Sequence, residues 1–201
     1  MTRVVAGRLG GRRLATPPGD STRPTSDRVR EALYSGVEAL LDLRGAHVLD
    51  LYCGSGALGL EAASRGAAHV LLVDVARRAV QTARRNVAEL GLEGAAVVVT
   101  ERVERLLAHR PEQVRGALAP YDLVLLDPPY DTGEDQLASD LDLLLASGWL
   151  ADDPLLVVER GARSPEPTWP AGLRPVRSRR YGETVVHLAE RAYGADDILP
   201  T

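Results

Sequence analysis

At 201 residues and 45% hydrophobic, the chain can bury one full core, so one main domain is expected, with a basic arm over 1–20, a body over 21–191 and a loose tail over 192–201. Cys53 is the only cysteine, which excludes an internal disulfide and a cysteine-cluster metal site, and with no cleavable leader and no apolar run near 18 residues a cytoplasmic monomer without membrane partners is expected. The net charge of −4 argues against nucleic acid only as a total, because it is unevenly spread.

The elements follow in chain order. "RVVAGRLGGRRLATPPG" mixes β-type residues with glycines and ends in a Pro-Pro-Gly stop, which reads as a short hairpin arm. Within residues 1–30, seven arginines (3, 8, 12, 13, 23, 28 and 30) face only Asp20 and Asp27, while the rest of the chain is acidic. All 24 basic residues are arginine, which base composition alone can produce, so the argument rests on their clustering. Arg8, Arg12, Arg13, Arg23 and Arg28 are the candidate RNA phosphate contacts; the alternative is a plain solvated arm. With almost no apolar face over residues 3–13, the arm is expected to add little to the core there and to be mobile without RNA.

"TSDRVREALYSGVEALLDL" follows as a helix capped by Thr25 or Ser26, with Val29, Leu33, Val37, Leu40 and Leu41 on one face. Strands at "HVLDLY", "HVLLVD", "AAVVVT", "YDLVLLD" and "PLLVVERG" then alternate with helices at "GLEAASRG", "ARRAVQTARRNVAELG", "RVERLLAH" and "EDQLASDLDLLLASG". "LRPVRSRRY" and "ETVVHLAER" flank Gly182 as a closing antiparallel hairpin. Alternation of this kind predicts an α/β fold of Rossmann type, with helices on both faces of a mostly parallel sheet.

The first stretch that carries chemistry is "VLDLYCGSGALGLEA", residues 48–62. Gly54, Gly56 and Gly59 fit G-x-G-x-x-G between a strand and a helix, a weak signal alone. Asp50 at the strand end separates two cofactors. A carboxylate there repels a pyrophosphate, which wants bare N–H groups, and attracts an ammonium group. S-adenosylmethionine carries an ammonium and a sulfonium and no phosphate, so it fits better than a nicotinamide dinucleotide. Asp74, ending the next strand, is placed to hold the two ribose hydroxyls. Asp50, Tyr52, Gly54 and Gly56 are the candidate cofactor contacts on this loop, with Asp74, Val103 and Asp127 beyond it. The bland alternative is a tight turn with two capping aspartates.

The second stretch is "LVLLDPPYD", residues 123–131, a core strand that ends in a carboxylate, two prolines and a tyrosine. Neither proline donates to a sheet ladder, so the ending is costly unless it has a use. An exocyclic amine on a base is a poor nucleophile because its lone pair is delocalised into the ring. The Asp127 carboxylate and the Pro128 carbonyl can accept its two hydrogens and favour a tetrahedral, nucleophilic nitrogen. The prolines hold that carbonyl rigidly, and Tyr130 offers a face on which the base can stack. Asp127 then takes the proton as the methyl arrives, and no metal is expected.

At these residues the chain resembles the amino-methyltransferases marked by D/N-P-P-Y/F, and its whole length looks closest to the RsmD family of 16S ribosomal RNA methyltransferases. "RVVAGRLGGRRL", "RPTSDRVREALYSGVE", "VLDLYCGSGALGLEAASRGA" and "LVLLDPPYD" carry that likeness. The resemblance implies a seven-stranded sheet of order 3-2-1-4-5-7-6 and S-adenosylmethionine as donor. It also implies methylation of N2 of one guanine in 16S rRNA, within the small ribosomal subunit or its assembly intermediate. Where the family tends to have a small polar pair against adenine, this chain has Arg102 and Val103, leaving the Val103 backbone N–H as the adenine contact.

Other groups read more plainly. His47, His69, His109 and His187 lack metal-ligand spacing, and no histidine is placed to activate Cys53. The arginines of 174–180 suit either a solvated hairpin or RNA phosphates. Two further readings stay open beside the RNA one: an amino-methyltransferase for DNA adenine or protein glutamine, and a catalytically silent RNA-binding module.

Overall fold

A computed structural model describes residues 2–17, 26–129 and 131–193. Two two-residue strands, β1 (Thr2–Arg3) and β2 (Arg13–Leu14), pair antiparallel at the N-terminus. Then follow α1 (Asp27–Glu38), β3 (His47–Leu51), α2 (Ala57–Arg65), β4 (His69–Asp74), α3 (Arg77–Leu90) and β5 (Ala96–Thr100). The remaining elements are α4 (Val103–Leu107), β6 (Tyr121–Leu126), α5 (Glu134–Ala146), β7 (Leu150–Gly161), β8 (Leu173–Tyr181) and β9 (Thr184–Arg191).

Strands β3 to β9 form one sheet of order β5-β4-β3-β6-β7-β9-β8. Counted within the sheet alone, this is the expected 3-2-1-4-5-7-6. The pairs among β5, β4, β3, β6 and β7 are parallel, and β9 adds antiparallel to β7 and to β8. The central strands read as continuous apolar runs because helices cover both faces. On one face Val48, Val70, Leu123, Leu125, Leu155 and Val157 pack under α1, α2 and α3. On the other, Leu49, Leu71, Val124, Leu126 and Val158 pack under α4 and α5. The order reverses between β3 and β6, so the crevice of the fold opens beyond their carboxyl ends.

Three details depart from the sequence reading. Helix α2 begins at Ala57, two residues before the predicted start, because Gly56 at φ +80° supplies the turn into it. Strand β7 starts at Leu150 rather than Pro154; its polar "ADD" lacks an apolar strand pattern but continues the strand, with a register shift opposite β6. The third concerns the arm.

The expectation of a mobile arm with almost no apolar face is wrong. Val4 is wholly buried and Leu14 nearly so, both in the core under α1–α3. The buried Glu61 on α2 accepts the N–H groups of Val5 and Ala6 at 2.7 and 2.9 Å, and Ser64 Oγ accepts that of Leu9 at 3.0 Å. Gly7, at φ +76°, sits so close to α2 that a Cβ there would lie 2.1 Å from the Ser64 carbonyl oxygen. Arg65 neutralises Glu61 from one side at 2.9 Å, and the buried Arg30 lies 3.7 Å away while donating to the Arg3 carbonyl. A fixed base plate carries the arginines. Its two-residue strands are too short for their periodicity to show in the sequence.

At the other end, the first residues of the expected tail are bound: Ala192 N–H donates to Gly172 O and Tyr193 Oη to Asp152 O. The rest of the tail lies outside the described residues. Among those described, no helix is long and apolar enough to cross a membrane.

Candidate active site

The carboxyl ends of β3, β4, β6 and β7 enclose a cleft of about 480 Å³, lined among others by Asp50, Tyr52, Gly54, Asp74, Val103, Asp127, Pro128 and Glu159. Its two sides are built differently.

On the β3–β4 side, Asp50 is buried and its Oδ2 accepts the Gly59 N–H at 2.8 Å, which ties the strand to the first turn of α2. Only glycine fits at 59, since a Cβ would lie 2.6 Å from Leu72 Cδ2 and 2.9 Å from that Oδ2. Burial pushes the Asp50 carboxyl up to about 7; the Gly59 bond opposes this and the charge of Asp74 adds to it. Asp74 grips its own loops, Oδ2 taking Gly54 N–H and Oδ1 taking Ala76 N–H, each at 2.8 Å. Each oxygen keeps a further lone pair for a ligand hydroxyl.

Tyr52 has a left-handed backbone at φ +61°, uncommon for an aromatic residue. Its hydroxyl donates to Asp140 Oδ2 on α5 at 2.6 Å, which holds the ring beside the cleft. Asp140 is buried and also takes Gln136 Nε2; nothing near "EDQLASD" in the sequence marked it. Asn86 on α3 does a similar job for the glycine loop, donating to Ser55 O and Ala15 O and accepting Ala15 N–H. Val103 opens α4, buried against the cleft, and Arg102 turns outward to Glu104 at 3.5 Å.

Gly54 lines the cleft, and a Cβ on it would meet nothing within 4 Å. Gly56 does not face the cleft: a Cβ there would meet Leu60 and Leu72, so its part is the turn alone. Cys53 is buried between Asp50 and Asp74, and burial followed by those two charges keeps its thiol protonated and inert.

On the β6–β7 side, Asp127 follows directly on β6. Desolvation raises its carboxyl well above the ordinary range, with the charges of Glu159 and Asp50 adding to the rise. Among the described residues its side chain makes no hydrogen bond. Pro128 is buried and Pro129 exposed, as a rigid turn reaching the surface requires. Arg160 of β7 holds the segment that comes next, donating to the Thr132 carbonyl at 3.2 Å and pairing with Glu134. Sequence reasoning missed Glu159 and Arg160, because "VVERG" is indistinguishable from an ordinary strand end. Tyr130 lies outside the described residues.

Of the expected RNA contacts, Arg8, Arg12, Arg13 and Arg28 are all exposed, and Arg12 also donates to the Glu89 carbonyl at 2.7 Å. Arg23 lies outside the described residues. Arg174, Arg179 and Arg180 are exposed on the edge strand β8, with Arg174 paired to Glu190. Among the described residues no three histidine, cysteine or acidic side chains are grouped to hold a metal ion.

The chain can be placed beside known proteins. The family model described as conserved hypothetical protein 95 matches residues 2–190. Ribosomal RNA small subunit methyltransferase D of Escherichia coli is 36% identical over 196 residues, 97% of this chain and 93% of its own. YlbH of Bacillus subtilis is 35% identical over 192 residues, covering 94% and 98% of the two chains. The solved structure of YhhF from Escherichia coli superposes with a TM-score of 0.81 at 34% identity, over 96% of this chain and 98% of that one.

Proposed function

The chain belongs to the conserved hypothetical protein 95 family, the RsmD group, and from that premise we propose that it is an S-adenosylmethionine-dependent ribosomal RNA methyltransferase acting on N2 of a guanine in the 16S RNA of the small subunit. One observation carries the reading: the Asp127-Pro128 turn at the end of β6 shares a cleft, at the switch point of the sheet, with the acid-bearing loops of β3 and β4. The β3–β4 side suits the donor. It offers a buried carboxylate at Asp50 for an ammonium, spare acceptor capacity at Asp74 for ribose hydroxyls, and an open backbone at Gly54.

When bound, S-adenosylmethionine supplies a methyl group already activated by its sulfonium. The protein's share is alignment and proton transfer. Asp127 and the Pro128 carbonyl accept the two hydrogens of the amine, turning its lone pair out of the ring and towards the methyl. Once the amine carried the incoming methyl its nitrogen would be acidic, and Asp127 is placed to take the proton. The desolvation that raises Asp127 makes it a better base for this step. The two adjacent prolines keep the carbonyl from wandering, which limits the entropy lost on alignment. The exposed arginines of the arm suit the phosphates of a large RNA substrate.

The test offers labelled S-adenosylmethionine with small subunits, protein-free 16S RNA and DNA in parallel. Label in the ribosomal RNA is expected. Label confined to DNA or to protein overturns the reading.

A further inference from the structure

Glu159 is a buried acid of the cleft with no part in the scheme above. Its place follows from the sheet. Leu123 and Leu125 of β6 and Leu155 and Val157 of β7 all point into the core under α1–α3. Two residues on, by the alternation of strands, Asp127 and Glu159 emerge on that same face. Leu126 pairs with Val158, so the next rung sets the two acids side by side on neighbouring strands. They feel each other: Glu159 is the foremost charge raising Asp127. On the far flank of Glu159 stands Val186 of β9.

Two acceptors side by side match a base edge that carries two donors side by side. Among bases with an exocyclic amine, only guanine has one. Its N2 amine adjoins N1–H, whereas the amine of adenine adjoins a bare N1 and that of cytosine a bare N3. With the amine held by Asp127 and Pro128, the neighbouring ring position falls towards β7. We propose that the Glu159 carboxylate accepts the N1–H of the target base and so selects guanine over adenine and cytosine. Lone pairs on those rings would face the carboxylate and be repelled by it, a mismatch that a buried polar site rejects strongly. The inference rests on the guanine-N2 reading and gives it a reason for its base specificity.

The experiment uses the full-length protein and small subunits reconstituted on 16S RNA with either guanine or 2,6-diaminopurine at the methylated position. Diaminopurine keeps the 2-amine but presents N1 as an acceptor. The parent protein should favour guanine by roughly ten- to a hundredfold in kcat/KM, the scale of one good base contact. Glu159→Gln can turn an N–H towards N1, so its preference should fall to near parity or reverse. Glu159→Asp keeps the acceptor and should keep the preference at a lower rate. Cofactor affinity within a few-fold of the parent shows that each variant is folded. An unchanged guanine preference in folded Glu159→Gln overturns the proposal. If that variant fails to bind cofactor, Glu159→Asp decides, and loss of its preference overturns the proposal equally. A parent that methylates no guanine sinks the preceding reading instead, whatever the variants do.

Discussion

On the β3–β4 side of the cleft, backbone N–H groups answer the acids: Asp74 takes two, from Gly54 and Ala76, and Asp50 takes one from Gly59. On the β6–β7 side, the half-buried Asp127 carboxylate has no hydrogen bond among the described residues and sits beside the buried acid Glu159. The first arrangement is self-supporting, since the acids brace the loops they stand in. The second is held at a cost, because desolvation and the neighbouring Glu159 charge both disfavour the ionised Asp127. A site keeps such a cost where chemistry uses it. The donor side should therefore answer change with graded losses of cofactor binding, and the acceptor side should lose turnover while the protein stays whole.

The largest effect is expected at Asp127. Asp127→Ala should cut single-turnover methyl transfer by about 10²–10⁴-fold, the range for a positioned acid–base group, with cofactor affinity within a few-fold. Calorimetric titration with the demethylated cofactor product, beside rapid-quench rates, separates the two quantities. Normal turnover with lost cofactor binding would invert the assignment of the two sides.

Asp74→Ala should weaken cofactor binding by about 1.5–3 kcal/mol, as charge-assisted hydrogen bonds to the ribose disappear and the Gly54 loop loosens. A binding isotherm matching the parent would remove Asp74 from the ribose site.

Asp50 makes the comparison depend on pH. Its folded pKa near 7 exceeds that of the unfolded chain, so between about pH 4 and 7 the native state keeps a proton that the unfolded chain has released. Stability from this group is therefore full below that window and lost as pH rises through it. Asp50→Asn should raise the melting temperature of the cofactor-free protein at pH 8 and leave it nearly unchanged at pH 4. If the ionised form takes the ammonium, parent affinity should grow about tenfold from pH 6 to 8, beyond any change in Asp50→Asn over the same series. Parallel curves would place the ammonium elsewhere.

The smallest change concerns the arm. Replacing Arg8, Arg12 and Arg13 with alanine should raise KM for the ribosomal substrate and flatten its log–log salt dependence by up to about three units. Melting temperature should move little, because Val4, Leu14 and the Glu61 anchor remain. Equal slopes and equal affinity would leave the arm without RNA contact and turn attention to Arg174, Arg179 and Arg180.

What the sequence made legible was local. The strand–glycine–helix run at 48–62 and the turn at 127–128 announce themselves within a dozen residues, because a carboxylate or proline at a strand end breaks a strong pattern. The alternation of strands and helices carried the fold class and the run of elements, apart from the early start of β7, while the strand order came only with the family resemblance. Residues acting across the fold left no such mark. Asp140 reaches Tyr52 across 88 positions, Asn86 reaches Ala15 across 71, and Glu61 holds Val5 across 56. Each looks in sequence like an ordinary polar residue on a helix. The arm shows the same limit, since its basic charge was visible while its anchor, buried on α2, was not.

The chemistry proposed for this cleft is methylation of the exocyclic amine of a guanine in ribosomal RNA. The most direct measurement treats unmethylated small subunits with the protein and S-adenosylmethionine, digests the 16S RNA to nucleosides and identifies the new species by mass spectrometry against standards. One equivalent of N2-methylguanosine is expected, absent when Asp127→Ala replaces the parent. Methyl on a ring nitrogen, on a ribose oxygen or on an adenine amine would contradict it.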